Sequence, residues 1–90
     1  MILSFLIPTK NRPKDLEANI NAINELDLIG IDYEILVLDD GSEIDYINVI
    51  SKYNYIKYYK NESTMGISQV RNKLARHAKG KYLIFLDDDV

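Results

Sequence analysis

The sequence predicts an α/β fold built on a parallel sheet, and three observations predict it. Four short runs rich in branched and aromatic residues (2–7, 33–38, 55–59 and 82–86) have the length and composition of strands. Stretches with helical spacing of apolar residues separate them, and strands alternating with helices imply parallel strands joined by right-handed crossovers. Acidic residues then cluster directly after two of the runs, at 39–40 and 87–89. That is the rim where open α/β sheets bind ligands. The expected order is βαβαβαβ, a Rossmann-like half filling residues 1–90 as one domain.

Each element has its own signal. Residues 2–7 are apolar except for Ser4 and read as a buried first strand, with 8–12 as the loop behind it. Pro13 suits the first position of a helix, and Asp15 and Glu17 follow where the helix dipole favours acids. Leu16, Ile20, Ile23 and Leu26 or Leu28 recur at helical spacing, which predicts a helix over 13–28 ended by Gly30. Residues 33–38 form the second strand, and Asp39-Asp40-Gly41-Ser42 a tight turn. Ser42 or a neighbour is expected to cap a short helix presenting Ile44, Ile47 and Ile50 on one side.

The third strand, 55–59, has tyrosines on alternating sides, as at a sheet edge. Beyond the polar loop 61–66, Ile67, Val70, Leu74 and Ala78 trace one face of a third helix, and Gly80 suits its C′ position. Residues 82–86 are apolar throughout, which predicts a strand buried on both faces.

Composition narrows the function. With 47% hydrophobic and 28% charged residues, the chain is of globular rather than disordered type. A net charge of −3 without a basic block argues against nucleic acid as a partner. There is no cysteine, which excludes disulfides and thiolate metal sites. The N-terminus lacks a positive segment and a cleavage site, so the expected location is the cytoplasm. Neither a P-loop nor a Gly-x-Gly-x-x-Gly cradle is present. Asn61-Glu62-Ser63 matches a glycosylation acceptor and reads as chance; His77 reads as a surface residue near a helix end.

The acids at 87–89 suit Mg²⁺ or Mn²⁺, hard cations that combine a few carboxylates with phosphate oxygens and water, although a solvated acidic turn has the same composition. Asp39 and Asp40 read equally as a capped turn or as acceptors for a ribose hydroxyl or a base imide N–H. Arg71, early in a helix behind a glycine loop, reads either as a diphosphate ligand or as a solvent-facing arginine.

Taken together, Ile7-Pro8-Thr9-Lys10-Asn11-Arg12, Glu34-Ile35-Leu36-Val37-Leu38-Asp39-Asp40-Gly41-Ser42, Gly66-Ile67-Ser68-Gln69-Val70-Arg71-Asn72 and the segment from Ala78 to Asp89 resemble family 2 glycosyltransferases. The resemblance runs the length of the chain in order and spacing. It implies the nucleotide-binding half of a GT-A fold. The activity it implies is transfer of a sugar, with inversion, from a nucleotide diphosphate donor (a UDP-sugar first among them) to a glycan or lipid-linked acceptor.

By the resemblance, Pro8, Thr9 and Lys10 line the nucleotide pocket, Asp40 with Asp39 holds the base, and Arg71 approaches the diphosphate. Asp87, Asp88 and Asp89 match the family's DXD motif, with Asp87 and Asp88 toward the nucleotide and Asp87 and Asp89 toward a metal. Lys10, Thr64 and Val70 stand where the family often has an aromatic residue, asparagine and alanine. The acceptor half and the catalytic base are expected beyond residue 90, so the 90-residue chain is read as a fragment, inactive alone, of a protein whose full-length form would sit at the inner face of the membrane.

Two readings from other classes compete. A receiver-like phosphoacceptor domain needs a lone aspartate after the third strand, where this chain has Lys60-Asn61. A non-catalytic α/β interaction module would pair through its sheet edge into a homo-oligomer.

Overall fold

A computed structural model describes residues 1–87. The elements are β1 (Leu3–Thr9), α1 (Pro13–Asn24), β2 (Tyr33–Asp40), α2 (Ile47–Ile50), β3 (Lys57–Asn61), α3 (Ile67–His77) and β4 (Tyr82–Phe85). All pairings are parallel, in the order β3-β2-β1-β4. The predicted α/β class and element order are therefore those observed.

The pleat divides the core into two layers. Phe5 and Ile7 of β1 and Ile35 and Val37 of β2 pack on Leu16, Ile20 and Ile23 of α1 and on Tyr46 and Val49 around α2. Leu6, Leu36 and Leu38 face the other way, onto Val70 and Leu74 of α3. Burying each of these aliphatic side chains is worth about 1.5–3 kcal/mol, which fixes the register of β1 and β2.

Several boundaries differ from expectation, each for a local reason. Helix α1 stops at Asn24 rather than 28, because its apolar stripe ends at Ile23 and Leu26 turns out to solvent. The second helix is a single turn; Ile44 and Ile47 are exposed, and Tyr46 and Val49 supply its buried side. Strand β3 lies two residues later than expected, at the sheet edge the tyrosines suggested. Tyr58 faces the α1 layer and Tyr59 the α3 layer, where it stacks on His77 at 4.5 Å. Strand β4 is not buried on both faces. It is the opposite edge, and Tyr82 (58% exposed), Leu83 and Phe85 are open to solvent.

Gly80 is not a helix cap either, since α3 ends on Ala78 in an extended conformation. A Cβ at position 80 would lie 2.5 Å from Ser4 Oγ and 2.7 Å from the backbone of Leu3 and Ser4. Glycine is there so that the α3–β4 crossover can lie against β1.

That contact belongs to a polar cluster at the amino end of the sheet. Glu34 is buried and accepts from Ser4 Oγ (2.6 Å), Lys57 Nζ (2.8 Å) and the Lys79 N–H (2.6 Å), while the Gly80 N–H donates to Ser4 Oγ (2.8 Å). Burial pushes the Glu34 carboxyl up, but the hydrogen bonds from Lys57, Lys79 and Ser4 and the Lys57 charge outweigh it and hold it at about 2. Among the described residues, no helix is long and apolar enough to cross a membrane.

Candidate functional site

At the opposite end, where β1 and β2 stop, the sheet opens into a cavity of about 290 Å³. It is lined by Pro8, Thr9, Lys10 and Arg12 behind β1, Asp40 at the end of β2, Asp87 after β4, and Thr64, Gly66, Ile67 and Val70 from the loop and first turns of α3. The topology explains the meeting: parallel strands present all their carboxyl ends on one rim, and Asp40 lies in the register of Asn61 across β3.

The walls are laced together by side chains that bond loop backbone. Tyr46 is buried; its hydroxyl bonds Thr9 Oγ1 at 2.8 Å and accepts the Arg12 N–H at 2.9 Å. Asn11, at φ 54°, accepts the Glu43 N–H at 2.9 Å, and its own N–H donates to Ser42 Oγ at 2.7 Å. The loops after β1 and β2 are thereby fixed to one another.

Asp39 and Asp40 are the last residues of β2 rather than a turn, so they point to opposite faces. Asp39 is fully buried on the α1 side; it accepts the Ser42 N–H (2.9 Å) and the Tyr58 hydroxyl (2.8 Å) and does not line the cavity. Burial, then the hydrogen bond and the charge of Asp39, push the Tyr58 phenol well up.

Asp40 does line it. Its Oδ1 accepts from Asn61 Nδ2 (3.0 Å) and the Met65 N–H (2.8 Å), and its Oδ2 from the Gly66 N–H (3.1 Å). Burial pushes this carboxyl up, and the bonds from Asn61, Met65 and Gly66 with the Lys10 charge bring it below the ordinary carboxylate range. Gly41, at φ 77°, makes the approach possible: a Cβ there would stand 2.7 Å from Thr64 N and 2.8 Å from Ser63 C.

Arg71 does not line the cavity. Its Nη2 donates to both oxygens of Asp87 at 3.1 Å, with both side chains about half exposed. Such a pair is worth about 0–1 kcal/mol, so a ligand can exchange it at little cost. Asp88 and Asp89 lie outside the described residues. Among the described residues no three acidic or histidine side chains converge on one point. Asp40 and Asp87 are the carboxylates of the described lining, and carboxylate oxygens are ligands of the kind that Mg²⁺ or Mn²⁺ takes rather than a soft metal.

The structure thus brings Pro8, Thr9, Lys10, Asp40 and Asp87 together, sets Arg71 one side chain behind Asp87, and turns Asp39 away. Sequence reasoning missed Arg12, Thr64, Gly66, Ile67 and Val70 in the lining, and Asn11 and Tyr46 behind it. Tyr46 left no clear signal, because the apolar spacing gave the packed side of the short helix to Ile44, Ile47 and Ile50. Asn61, expected only as a chance glycosylation match, is buried beneath Asp40. No carboxylate ends β3, as a phosphoacceptor domain would require.

Comparison with known proteins gives a consistent result. Residues 4–90 match the family model for Glycosyl transferase family 2. Abequosyltransferase RfbV of Salmonella typhimurium is 38% identical over 97 residues, spanning 99% of this chain and 28% of its own length. The crystal structure of Staphylococcus aureus TarS 1–349 in complex with UDP-GlcNAc superposes with a TM-score of 0.89 at 27% identity, over 99% of this chain and 27% of that one. A mannosyltransferase of Pyrobaculum calidifontis, solved with GDP-Man and Mn²⁺, shares the fold with a TM-score of 0.86 at 20% identity, over 97% of this chain and 27% of that one. The fold is that of GT-A glycosyltransferases, and the chain spans between a quarter and a third of each of these proteins.

Proposed function

From the premise that the chain belongs to glycosyl transferase family 2, we propose that it is the donor-binding part of an enzyme that moves a sugar from a nucleotide diphosphate to an acceptor with inversion. One observation carries the reading. A single cavity combines cations (Lys10, Arg12), carboxylates (Asp40, Asp87) and the amino end of α3, whose N-cap residue is Gly66. A nucleotide diphosphate needs that mixture. The helix end and the cations suit the diphosphate, and a carboxylate acceptor suits a base with a ring N–H.

In this reading Pro8, Thr9 and Lys10 form the floor under the nucleoside, and Asp40 accepts from the base. Arg71 leaves Asp87 for the diphosphate, and Asp87 with Asp89 holds a divalent cation. The cation would stabilise charge on the departing diphosphate. Asp39 supports the turn from behind. Acceptor binding and the catalytic base belong to sequence outside these residues, so the 90-residue chain binds donor without transferring sugar.

A thermal-shift panel of UDP, GDP, CDP and dTDP, each with Mn²⁺ and with chelator, tests the reading. Ligand at ten times its dissociation constant adds about 1.4 kcal/mol, or several degrees for a domain this small. A metal-dependent shift for one nucleotide, abolished in Asp89→Asn, is expected. Folded protein that shifts with none of them would overturn it.

A further inference from the structure

Asp40 is held in an unusual way for a carboxylate that meets a ligand. Both its oxygens already accept hydrogen bonds, two on Oδ1 and one on Oδ2. A carboxylate offers about four acceptor positions, so among the described residues the free capacity is on Oδ2. The side-chain donor among the three, Asn61, is itself held from the other side. Lys73 Nζ on α3 donates to Asn61 Oδ1 at 2.9 Å. Lys73 and Asn61, with Arg76, line a second cavity of about 280 Å³ on the far side of the 61–66 loop.

The chain of bonds has a direction. An amide can present either its oxygen or its nitrogen, and an oxygen facing Asp40 would repel the carboxylate. A cation on Oδ1 forbids that flip, because it requires Asn61 to turn its oxygen toward Lys73 and its NH₂ toward Asp40. Asn61 cannot drift either, being buried and register-paired with Asp40 across β2 and β3.

We infer that Asn61 and Lys73 are positioning residues that lock the Asp40 carboxylate in its ionised form with Oδ2 offered to the cavity, and so select donor nucleotides whose base carries a ring N–H. This rests on the donor-site reading above. The chemistry of selection is direct. Uracil, thymine and guanine present a ring N–H to an acceptor-only group, whereas the same ring position of cytosine is a bare nitrogen, which an ionised Oδ2 repels, leaving only the exocyclic amino group to donate. A protonated or rotated Asp40 would lose the distinction. Among the described residues, the charged groups around Asp40 besides Lys73 are Lys10 from the loop after β1, and Arg12 and Asp87 across the cavity.

The test has a readout without ligand. Titration of the Asp40 carboxyl carbon by NMR in the free 90-residue chain is expected to move to higher pH in Asn61→Ala, and by less in Lys73→Met. Lys73→Arg is expected to restore it. Lys73 is only partly buried, so its variants keep the test alive if Asn61→Ala does not fold. With nucleotide, loss of one charged hydrogen bond predicts about tenfold weaker binding of the preferred uracil, thymine or guanine diphosphate in Asn61→Ala. CDP binding should change less than about twofold, because cytosine has no ring N–H bond to lose.

An unmoved titration in both variants overturns the positioning role, whatever happens to binding. Equal weakening of CDP and of the preferred nucleotide overturns the selection. A titration that moves in the variants as expected, while the wild-type chain binds none of the four nucleotides, overturns the donor-site reading instead.

Discussion

Strand β2 carries a buried carboxylate near each end of the same face, Glu34 and Asp40, with Leu36 and Leu38 between them. Both accept three hydrogen bonds, and both are held below the ordinary carboxylate range against the opposing effect of burial. They differ in what stands beside them. Glu34 has a contacting cation, Lys57 at 2.8 Å, and is covered by the α3–β4 crossover at Lys79 and Gly80. Among the described residues Asp40 is bonded by neutral donors alone, and it faces a cavity. A carboxylate closed by its own counter-ion fastens the fold, and one left with spare acceptor capacity at a strand's carboxyl end is available to a ligand.

Removing the fastened charge should have the largest effect. In Glu34→Gln one oxygen becomes an NH₂ that must face either Lys57 or the Ser4 and Lys79 donors, whichever way the amide turns. We expect a loss of about 3 kcal/mol, enough to lower Tm by more than about 10 °C in a domain of this size. Nucleotide affinity of the folded fraction should be unchanged. A drop of less than about 3 °C would break the contrast between the two ends.

Acid should dissolve the same fastening gradually. The folded Glu34 carboxyl sits at about 2 against 4.5 for the free group, a depression. Its contribution is therefore fully present above about pH 4.5 and is lost as pH falls through about 2, amounting to a ceiling of about 3 kcal/mol. Asp40 acts in the same direction. Urea midpoints measured between pH 6 and 2 should fall steeply for the wild type and with a shallower slope for Glu34→Gln, which lacks the titrating group.

Much of this was legible in the sequence, and unevenly so. The α/β class, the element order and the rim bearing the site follow from apolar runs and from acids after strands. Local patterning also marked Leu16, Ile20 and Ile23 of α1 and Val70 and Leu74 of α3. Exposure of β4 was not legible, because an apolar run does not say whether anything covers it. Nor were the faces of Asp39 and Asp40, since a shift of two residues in where β2 ends decides whether the acids are turn or strand. Asn61 and Lys73 were invisible as partners of Asp40: they come from β3 and α3, and a long-range hydrogen bond leaves no period in the chain.

At the ligand end, Gly41→Ala should cost less than the loss of Glu34 and act differently. The new Cβ meets the backbone of Ser63 and Thr64 at under 3 Å, and φ of 77° is strained for alanine. About 2 kcal/mol of stability should go, together with the shape of the loop that bonds Asp40. The affinity for whichever nucleotide binds the wild type, measured by calorimetry, should therefore fall with stability. Gly80→Ala, crowded against Ser4 at the closed end, should lower Tm without touching affinity.

The smallest effect is the sharpest test of what distinguishes the two carboxylates. Lys57→Met removes a cation in contact with a buried acid, leaving Glu34 charged and short of a partner, and should cost about 2 kcal/mol. Lys10→Met removes the exposed cation that acts on Asp40 through space alone, where charge is well screened. Its effect on stability should stay within about 0.5 kcal/mol by urea denaturation, in line with exposed charge interactions. Were Lys10→Met as costly as Lys57→Met, Asp40 would be an ion-paired support like Glu34. The cavity beside it would then be a gap above a salt bridge rather than a place for a base.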